Sequence, residues 1–144
     1  RDIKDVTAFG HVEDDDENGL SIYYRPKGVI AAIVPSTNPL ATPVNNTINA
    51  LKTGNAIILA PSPKGVKPLL ALFEHIHPAL AKLGLPEDLV QMVPAPPSKP
   101  KTERLMQLAD LVSQRTVHAI HDLMHKQTSL SLSPQVWTPI PTTK

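Results

Sequence analysis

Two uninterrupted apolar runs, each followed by a proline-containing loop, constrain the fold of this chain most. Val29–Val34 (VIAAIV) precedes the loop Pro35–Pro39, and Ala56–Leu59 (AIIL) precedes the loop Ala60–Gly65. A continuous apolar run bounded by turn residues is typical of a strand that is buried on both faces of a parallel sheet. The pattern therefore predicts an α/β fold with a Rossmann-like, mostly parallel sheet.

Apolar residues at helical spacing follow each of these loops. The first helix is predicted to start at Thr42-Pro43, a capping hydroxyl followed by proline at the first helical position, and to be capped at its end by Gly54. Its predicted buried face carries Val44, Ile48 and Leu51. A helix between two such strands implies a right-handed βαβ crossover.

The pattern continues with a second helix and a third strand. Apolar residues recur at helical spacing over 66–83, where Pro78 is expected to kink the helix or end it early. Leu89–Val93 (LVQMV) predicts the third strand. A short helix is predicted from Ser98 to Ala109. Strands that alternate with helices in this way reinforce the α/β prediction.

Composition divides the chain into three parts. Residues 1–27 form a polar, acidic segment that includes one predicted strand, Leu20–Arg25, and residues 28–112 are the predicted partial α/β domain. Residues 113–144 are rich in Ser, Thr, Gln, His and Pro and contain no glycine, which predicts a divergent, poorly ordered tail. Because the chain starts with arginine rather than methionine, we expect it to be a piece of a longer protein.

Charge and composition argue against several classes of protein. The net charge is +1 and the basic residues are not interleaved with aromatic ones, so a nucleic acid is not an expected partner. No stretch approaches the roughly 18–20 apolar residues of a membrane span, and the N-terminus lacks a signal pattern, so we expect a cytoplasmic protein. The sequence contains no cysteine, which removes disulfides, thiolate metal sites and cysteine nucleophiles together.

Two motifs raise the question of a metal site. The segment Asp14–Gly19 (DDDENG) resembles the first half of a calcium loop, but the twelfth position is Arg25 where a bidentate glutamate is required. A solvated acidic turn is the favoured interpretation. His118, His121 and His125 would share one helix face, yet no carboxylate completes a zinc motif there. We therefore expect no metal site.

Three strand-end loops predict a ligand crevice. Pro35–Pro39, Ala60–Gly65 and Pro94–Ser98 each follow a predicted strand, and the carboxyl ends of parallel strands share one edge of a sheet. Ser62 and Lys64 lie where a strand turns into a helix N-terminus, which is a natural position for an anion. An ordinary capped turn with an exposed lysine is the alternative. The sequence contains neither a Walker loop nor a GxGxxG fingerprint.

Asn38 follows the first buried strand within the loop that carries Thr37 and Pro39. An amide at this place can donate hydrogen bonds into the crevice, as a group that stabilises an oxyanion must. An Asn-Pro pair is also a common turn. The local pattern therefore leaves a catalytic and a structural interpretation open.

A longer stretch resembles a known family. Residues 27–65, KGVIAAIVPSTNPLATPVNNTINALKTGNAIILAPSPKG, resemble the cofactor-binding half of the aldehyde dehydrogenase superfamily, and most of all its CoA-acylating branch, which includes acetaldehyde, succinate-semialdehyde and sulfoacetaldehyde dehydrogenases. The resemblance continues through LGLPEDLVQMV and PPSKPKTERLMQLADLV and covers roughly residues 1–112. It implies the family's NAD(P)-binding α/β domain, here incomplete.

The resemblance also implies roles for individual residues. Asn38 matches the asparagine that helps to form the oxyanion hole around the thiohemiacetal. The loop beside the nicotinamide is matched by Pro35, Ser36 and Thr37. The segment that would lie against the adenosine end of the nucleotide is matched by Pro61, Ser62, Pro63 and Lys64.

The resemblance implies NAD or NADP as cofactor, CoA as co-substrate, a small aldehyde as substrate, and a homo-oligomer in the full-length family. Hydrolytic members carry a lysine and a glutamate that handle the adenosine ribose, whereas this chain has Ala60 and Pro63 at those places. That difference favours the acylating branch. Ser62 and Lys64 could instead meet a 2′-phosphate, so NAD and NADP both stay open.

The resemblance ends after Val112, where the family continues with a glycine-rich segment and, later, the cysteine nucleophile. Residues 113–144 contain neither. We therefore expect a fragment of an aldehyde-oxidising, acyl-CoA-forming enzyme that is inactive in isolation. The alternatives are a non-catalytic nucleotide-binding or partner-binding fragment, and a gene remnant produced by a frameshift near Val112. The sequence does not indicate which aldehyde is used.

Overall fold

The computed structural model describes residues 5–114. In chain order the strands and helices are β1 Gly10–Asp15, β2 Leu20–Tyr24, β3 Val29–Val34, α1 Ala41–Lys52, β4 Ala56–Pro61, α2 Val66–Lys82, β5 Val90–Met92, α3 Lys99–Leu108 and β6 Leu111–Gln114. Short 3₁₀ turns precede α2 at Pro63–Gly65 and β5 at Glu87–Leu89. No helix in this span is long and apolar enough to cross a membrane.

Four parallel strands form the central sheet, in the order β5-β4-β3-β6. In this sheet Ile57 of β4 lies between Ile30 of β3 and Val90 of β5, and Ile30 pairs with Leu111 of β6 on its other side. The predicted α/β fold with a mostly parallel, Rossmann-like sheet is therefore confirmed.

Both faces of the sheet are covered. One face packs against α1 and α2, and its buried residues include Ile30, Ile57, Leu59 and Leu69. The other face is smaller and packs against α3 through Ala31, Ala60, Val93 and Leu105. Side chains of neighbouring strand residues point to opposite faces, so a strand covered on both faces must be apolar throughout. This burial explains the uninterrupted apolar runs of β3 and β4.

The first helix differs from its prediction. It begins at Ala41, with Leu40 as N-cap, so Thr42 lies inside the first turn and is 8% exposed rather than acting as a cap. Ile48 was expected on the buried face but is exposed. The helix instead buries small side chains, including Thr47 and Ala50, and small side chains let a helix lie close to its neighbours.

Helix α2 continues past Pro78 to Lys82, so of the two predicted effects of this proline, a kink or an early end, the early end is wrong. Proline removes one backbone N–H donor and leaves the carbonyl of residue Glu74 without its helical partner. Both Pro78 and Glu74 are exposed, so water can hydrate that carbonyl. The helix can therefore tolerate the proline on its solvent side.

Gly54 ends α1 as predicted. Its φ is +73°, its N–H donates to the carbonyl of Leu51 at 3.0 Å, and the N–H of Asn55 donates to the carbonyl of Ala50 at 2.9 Å. These two bonds form a Schellman motif, in which the residue with positive φ is usually glycine.

Two strands were not predicted. β1 pairs with β2 as an antiparallel hairpin, with Gly10 opposite Tyr24. β6 joins the edge of the sheet next to β3, where the N–H of Val29 donates to Asp110 Oδ2 at 2.8 Å and the N–H of Asp110 donates to the Val29 carbonyl at 3.0 Å. Gly28 has a φ of +123°, and a Cβ there would collide with the Asp110 carboxylate.

Candidate functional site

The carboxyl ends of β3 and β4 border an open cavity of about 360 Å³, called the strand-end crevice here. Twelve residues line it: Ile33, Val34, Pro35, Ser36, Ala60, Pro61, Ser62, Pro63, Pro97, Ser98, Lys99 and Thr102. They come from the end of β3, from the three loops that the sequence identified and from the start of α3. The structure therefore brings the predicted loops together at one edge of the sheet.

Five of the eight predicted site residues line the strand-end crevice: Pro35, Ser36, Pro61, Ser62 and Pro63. The other three are exposed: Thr37 and Lys64 each directly follow a lining residue, and Asn38 is two residues beyond Ser36. The loops thus form the walls of the crevice, and Asn38 and Lys64 lie on the segments just outside them.

Gly65 lies where the first two loops meet. It is buried, and a Cβ added to it would lie 3.4 Å from Pro61 Cβ and 3.5 Å from Pro39 Cβ. The φ of Gly65 is −86°, which any residue can adopt. Glycine is therefore favoured at this position by the close packing and not by the backbone conformation. The walls that follow β3 and β4 are therefore packed against each other.

Among the polar residues that line the crevice, Ser62 has an unpartnered hydroxyl in the described part of the chain. Its Oγ is buried and has no hydrogen-bond partner within residues 5–114. A buried hydroxyl without a partner is costly unless a ligand or water supplies one. Lys99 lines the crevice from α3, and Lys64 follows Ser62 by two residues. A free hydroxyl near two cationic side chains suits a ligand with hydroxyl and anionic groups.

The third wall contains residues that were not singled out from the sequence. The loop Pro94–Ser98 and a helix starting at Ser98 were predicted, but Lys99 and Thr102 of that helix were not assigned to the crevice. In its first turn the Thr102 N–H and hydroxyl both donate to the Ser98 carbonyl, at 3.1 and 3.2 Å. The position of this turn against the strand ends, and not its helical pattern, is what the sequence did not reveal.

A second open cavity, of about 540 Å³, lies on α2. His77 is partly buried there: its Nε2 lies 3.0 Å from the Val90 carbonyl and its ring is 4.8 Å from that of Phe73. His75, two residues earlier in the helix, is exposed.

The acidic segment Asp14–Gly19 ends β1 and forms the turn of the hairpin. Asp14 Oδ1 lies 2.9 Å from His11 Nε2 and accepts a 2.7 Å hydrogen bond from the Ser21 hydroxyl. These two bonds hold the pKa of Asp14 below its usual value. Within residues 5–114 no group of three His, Asp or Glu side chains is placed to hold a metal ion.

The three histidines that raised the question of a zinc motif, His118, His121 and His125, lie outside the described residues.

An open parallel sheet with a crevice at the carboxyl ends of its strands defines the class of this molecule, a Rossmann-like α/β domain. The model of the aldehyde dehydrogenase family matches residues 4–119, and the chain belongs to that family.

Individual relatives agree with this assignment. The chain is 54% identical over 112 residues to a sulfoacetaldehyde dehydrogenase (acylating) of Cupriavidus necator, a match that covers 78% of this chain and 23% of the relative. It is also similar to the crystal structure of Rhodopseudomonas palustris propionaldehyde dehydrogenase with bound propionyl-CoA, with a TM-score of 0.70 and 34% identity over 81% of this chain and 26% of that one.

A third similar structure is an engineered glycolyl-CoA reductase with bound NADP⁺, with a TM-score of 0.66 and 34% identity over 73% of this chain and 24% of that one. The chain spans about a quarter of the length of the proteins that it matches.

Proposed function

We propose that the strand-end crevice is part of the NAD(P) site of a CoA-acylating aldehyde dehydrogenase. The observation that carries this proposal is the meeting of three strand-end loops in one cavity. Ser62 is one of the lining residues, and its buried hydroxyl has no hydrogen-bond partner within the described residues. The acylating relatives support the same interpretation, and the NADP⁺ bound in one similar structure supports a nucleotide as the ligand.

In this proposal the adenosine end of the nucleotide lies against Pro61, Ser62, Pro63 and Lys64, and the nicotinamide end lies beside Pro35, Ser36 and Thr37. The Ser62 hydroxyl forms a hydrogen bond with the ribose or with its 2′-phosphate. The residues that line the crevice include Lys99 and no carboxylate within the described span. An anionic 2′-phosphate therefore meets cations rather than like charge, so the site accepts NADP as well as NAD.

The bound nicotinamide supplies a hydride acceptor for the oxidation of an aldehyde. Asn38 donates its side-chain N–H to the oxygen of the substrate as negative charge develops on that atom. The sequence contains no cysteine, so the nucleophile that forms the thioester must come from outside these 144 residues. We expect the isolated chain to bind the nucleotide without oxidising an aldehyde. The expected location of the protein is the cytoplasm.

Fluorescence titration of the 144-residue chain with NADPH and NADH tests nucleotide binding. We expect binding to saturate below millimolar ligand. Lys64→Met should weaken the binding of NADPH more than that of NADH, because only NADPH carries the 2′-phosphate. Lys82→Met, at the far end of α2, is the charge-matched control. Binding that does not saturate up to millimolar concentrations would contradict the proposal.

A turnover assay tests the second part. The chain is mixed with CoA, NADP⁺ and sulfoacetaldehyde, the aldehyde for which the relative with 54% identity is named. We expect no NADPH to form. Sustained NADPH formation would show that a nucleophile other than cysteine is present in this chain.

We further propose that the β1–β2 hairpin joins two copies of the chain, as expected for a homo-oligomer. The observation that favours this role is an apolar face of β2, on which the alternate residues Leu20, Ile22 and Tyr24 are 60%, 43% and 48% exposed. Exposed apolar patches commonly mark protein–protein contacts. Light scattering should give a mass of at least a dimer, and the double variant Leu20→Lys with Ile22→Lys should lower that mass to the mass of the monomer. A monomeric unmodified chain would contradict this role.

A further inference from the structure

The loop between β5 and α3 lacks the donors that usually hold a turn together. Pro94, Pro96 and Pro97 have no backbone N–H, so hydrogen bonds within the backbone cannot close this loop in the ordinary way. The last backbone hydrogen bond to the sheet before this loop is from the Val93 N–H to the Leu59 carbonyl, at 2.9 Å. Beyond Val93, other groups must fix the path of the chain.

Lys101 supplies the missing donors. Its ammonium donates to the Pro94 carbonyl at 3.0 Å and to the Pro96 carbonyl at 2.9 Å. A lysine ammonium has three N–H groups and no acceptor, and hydrogen bonds from a charged donor are stronger than those between neutral groups. Both bonds lie in an exposed part of the structure, so their contribution depends on one ammonium making two bonds at once.

The position of Lys101 links two parts of the strand-end crevice. It lies in the first turn of α3, which contributes Ser98, Lys99 and Thr102 to the third wall. Its ammonium reaches back to the loop that leaves β5. It therefore ties the helix start to the strand end. The first two walls are packed directly against each other around Gly65. The third wall is joined to its strand end by the packing of Leu105 with Val93 and by the hydrogen bonds of this ammonium.

We propose that Lys101 is a positioning residue for the nucleotide site, which fixes the third wall of the strand-end crevice at the distance that the nucleotide requires. This inference rests on the proposed nucleotide-binding function. Lys101 itself does not line the crevice, so it acts through the loop and not by touching the ligand.

The absence of cysteine from the sequence permits a chemical-rescue experiment. Lys101→Cys has a single thiol, and treatment with 2-bromoethylamine converts it into a lysine analogue that restores the ammonium. The same variant treated with iodoacetamide gains a neutral amide of similar size and serves as the matched control. Both forms are compared with Lys101→Met and with the unmodified 144-residue chain.

Two quantities are measured on each form: the NADPH dissociation constant by fluorescence, and the hydrogen exchange of the peptide that spans 94–102, with 29–34 as the internal reference. Without the ammonium we expect NADPH affinity to fall about tenfold, and exchange over 94–102 to rise while 29–34 stays protected. The aminoethylated form should recover both quantities, and the iodoacetamide-treated form neither. A purely structural role in global stability would raise exchange in both peptides.

The outcomes separate this inference from the proposed function. If the unmodified chain does not bind NADPH saturably, the proposed function fails. If the unmodified chain binds NADPH but removal of the ammonium leaves the affinity unchanged, the positioning role of Lys101 is overturned. Unchanged exchange over 94–102 in Lys101→Met would overturn that role as well.

Discussion

Asn55 connects the end of α1 to the start of β3. It is 6% exposed, its Oδ1 accepts hydrogen bonds from the N–H groups of Lys27 and Gly28 at 2.6 and 2.9 Å, and its Nδ2 donates to the Thr53 hydroxyl at 2.7 Å. We expect Asn55→Ala to lower the free energy of unfolding by about 2 kcal/mol, because it leaves partly buried donors without acceptors. Urea denaturation measures this loss. Asn49→Ala, an exposed position of α1, should change it by less than about 0.5 kcal/mol.

His11 controls the ionisation of its neighbour in the hairpin. It is the largest cause of the low pKa of Asp14, ahead of the Ser21 hydroxyl. His11→Phe removes the hydrogen bond but keeps a ring beside Tyr23, whose centroid is 5.1 Å from that of His11. We expect the pKa of Asp14 to rise toward its usual value in this variant. Carbon-detected NMR titration of the carboxylate measures the change.

Asp15 is the internal control for this titration. Its pKa is also low, but the cause is a pair of hydrogen bonds from Asn18, which His11 does not touch. Because the folded-state pKa values of both aspartates are lowered, their contribution to stability is present above the unfolded-state pKa and is lost as the pH falls through the folded-state pKa. If the pKa of Asp15 changed as much as the pKa of Asp14, the whole turn would have rearranged in the variant.

At the scale of elements, Pro78 offers a direct test of why α2 continues. Proline within a helix costs about 3 kcal/mol relative to alanine, and part of that cost is offset because proline restricts the unfolded chain. We expect Pro78→Ala to raise the free energy of unfolding by about 1–2 kcal/mol. Pro68 lies in the first turn of the same helix, where the N–H has no helical partner, so Pro68→Ala should give no gain. Equal gains at both positions would contradict this explanation.

Local pattern predicted the elements whose residues are buried on both sides and missed those that depend on distant partners. β3 and β4 are apolar throughout, and their burial explains why they could be identified. β6 has the sequence LVSQ, which carries little strand signal, and it is a strand because it pairs with β3. The helical period of α1 was correct and Leu51 does pack against the core, but Ile48 is exposed. The small residues Thr47 and Ala50 are buried instead, and they carry no apolar signal comparable to that of Ile48.

At the scale of the whole molecule, the position of the strand-end crevice was predictable because a parallel sheet brings the carboxyl ends of its strands to one edge. The third wall could be predicted only in part. Its loop was visible as a proline-rich break, but the contribution of Lys99 and Thr102 depends on where α3 starts relative to the strands. The link from Lys101 to the carbonyls of that loop is a contact between a helix and a strand end, which no local pattern encodes.

Beside the pairing of β6 with β3, one side-chain contact holds this edge of the sheet: the Val29 N–H donates to the carboxylate of Asp110, 81 positions away. Gly28 adjoins this contact, and a Cβ there would collide with the same carboxylate. We expect Asp110→Ala to cost about 1 kcal/mol through the lost hydrogen bond. Gly28→Ala should cost at least about 2 kcal/mol, since it combines that collision with a φ of +123°.

A double-mutant cycle separates the two causes. In Gly28→Ala with Asp110→Ala the collision is absent, so the double variant should be more stable than the sum of the single losses predicts, by about 1 kcal/mol. The positive φ remains, so the double variant should still be less stable than Asp110→Ala alone. Urea denaturation of all four chains gives the coupling, with Asp88→Ala, an exposed aspartate before β5, as the charge control. Strictly additive losses would mean that Gly28 is required for its backbone conformation alone and that the carboxylate moves freely aside.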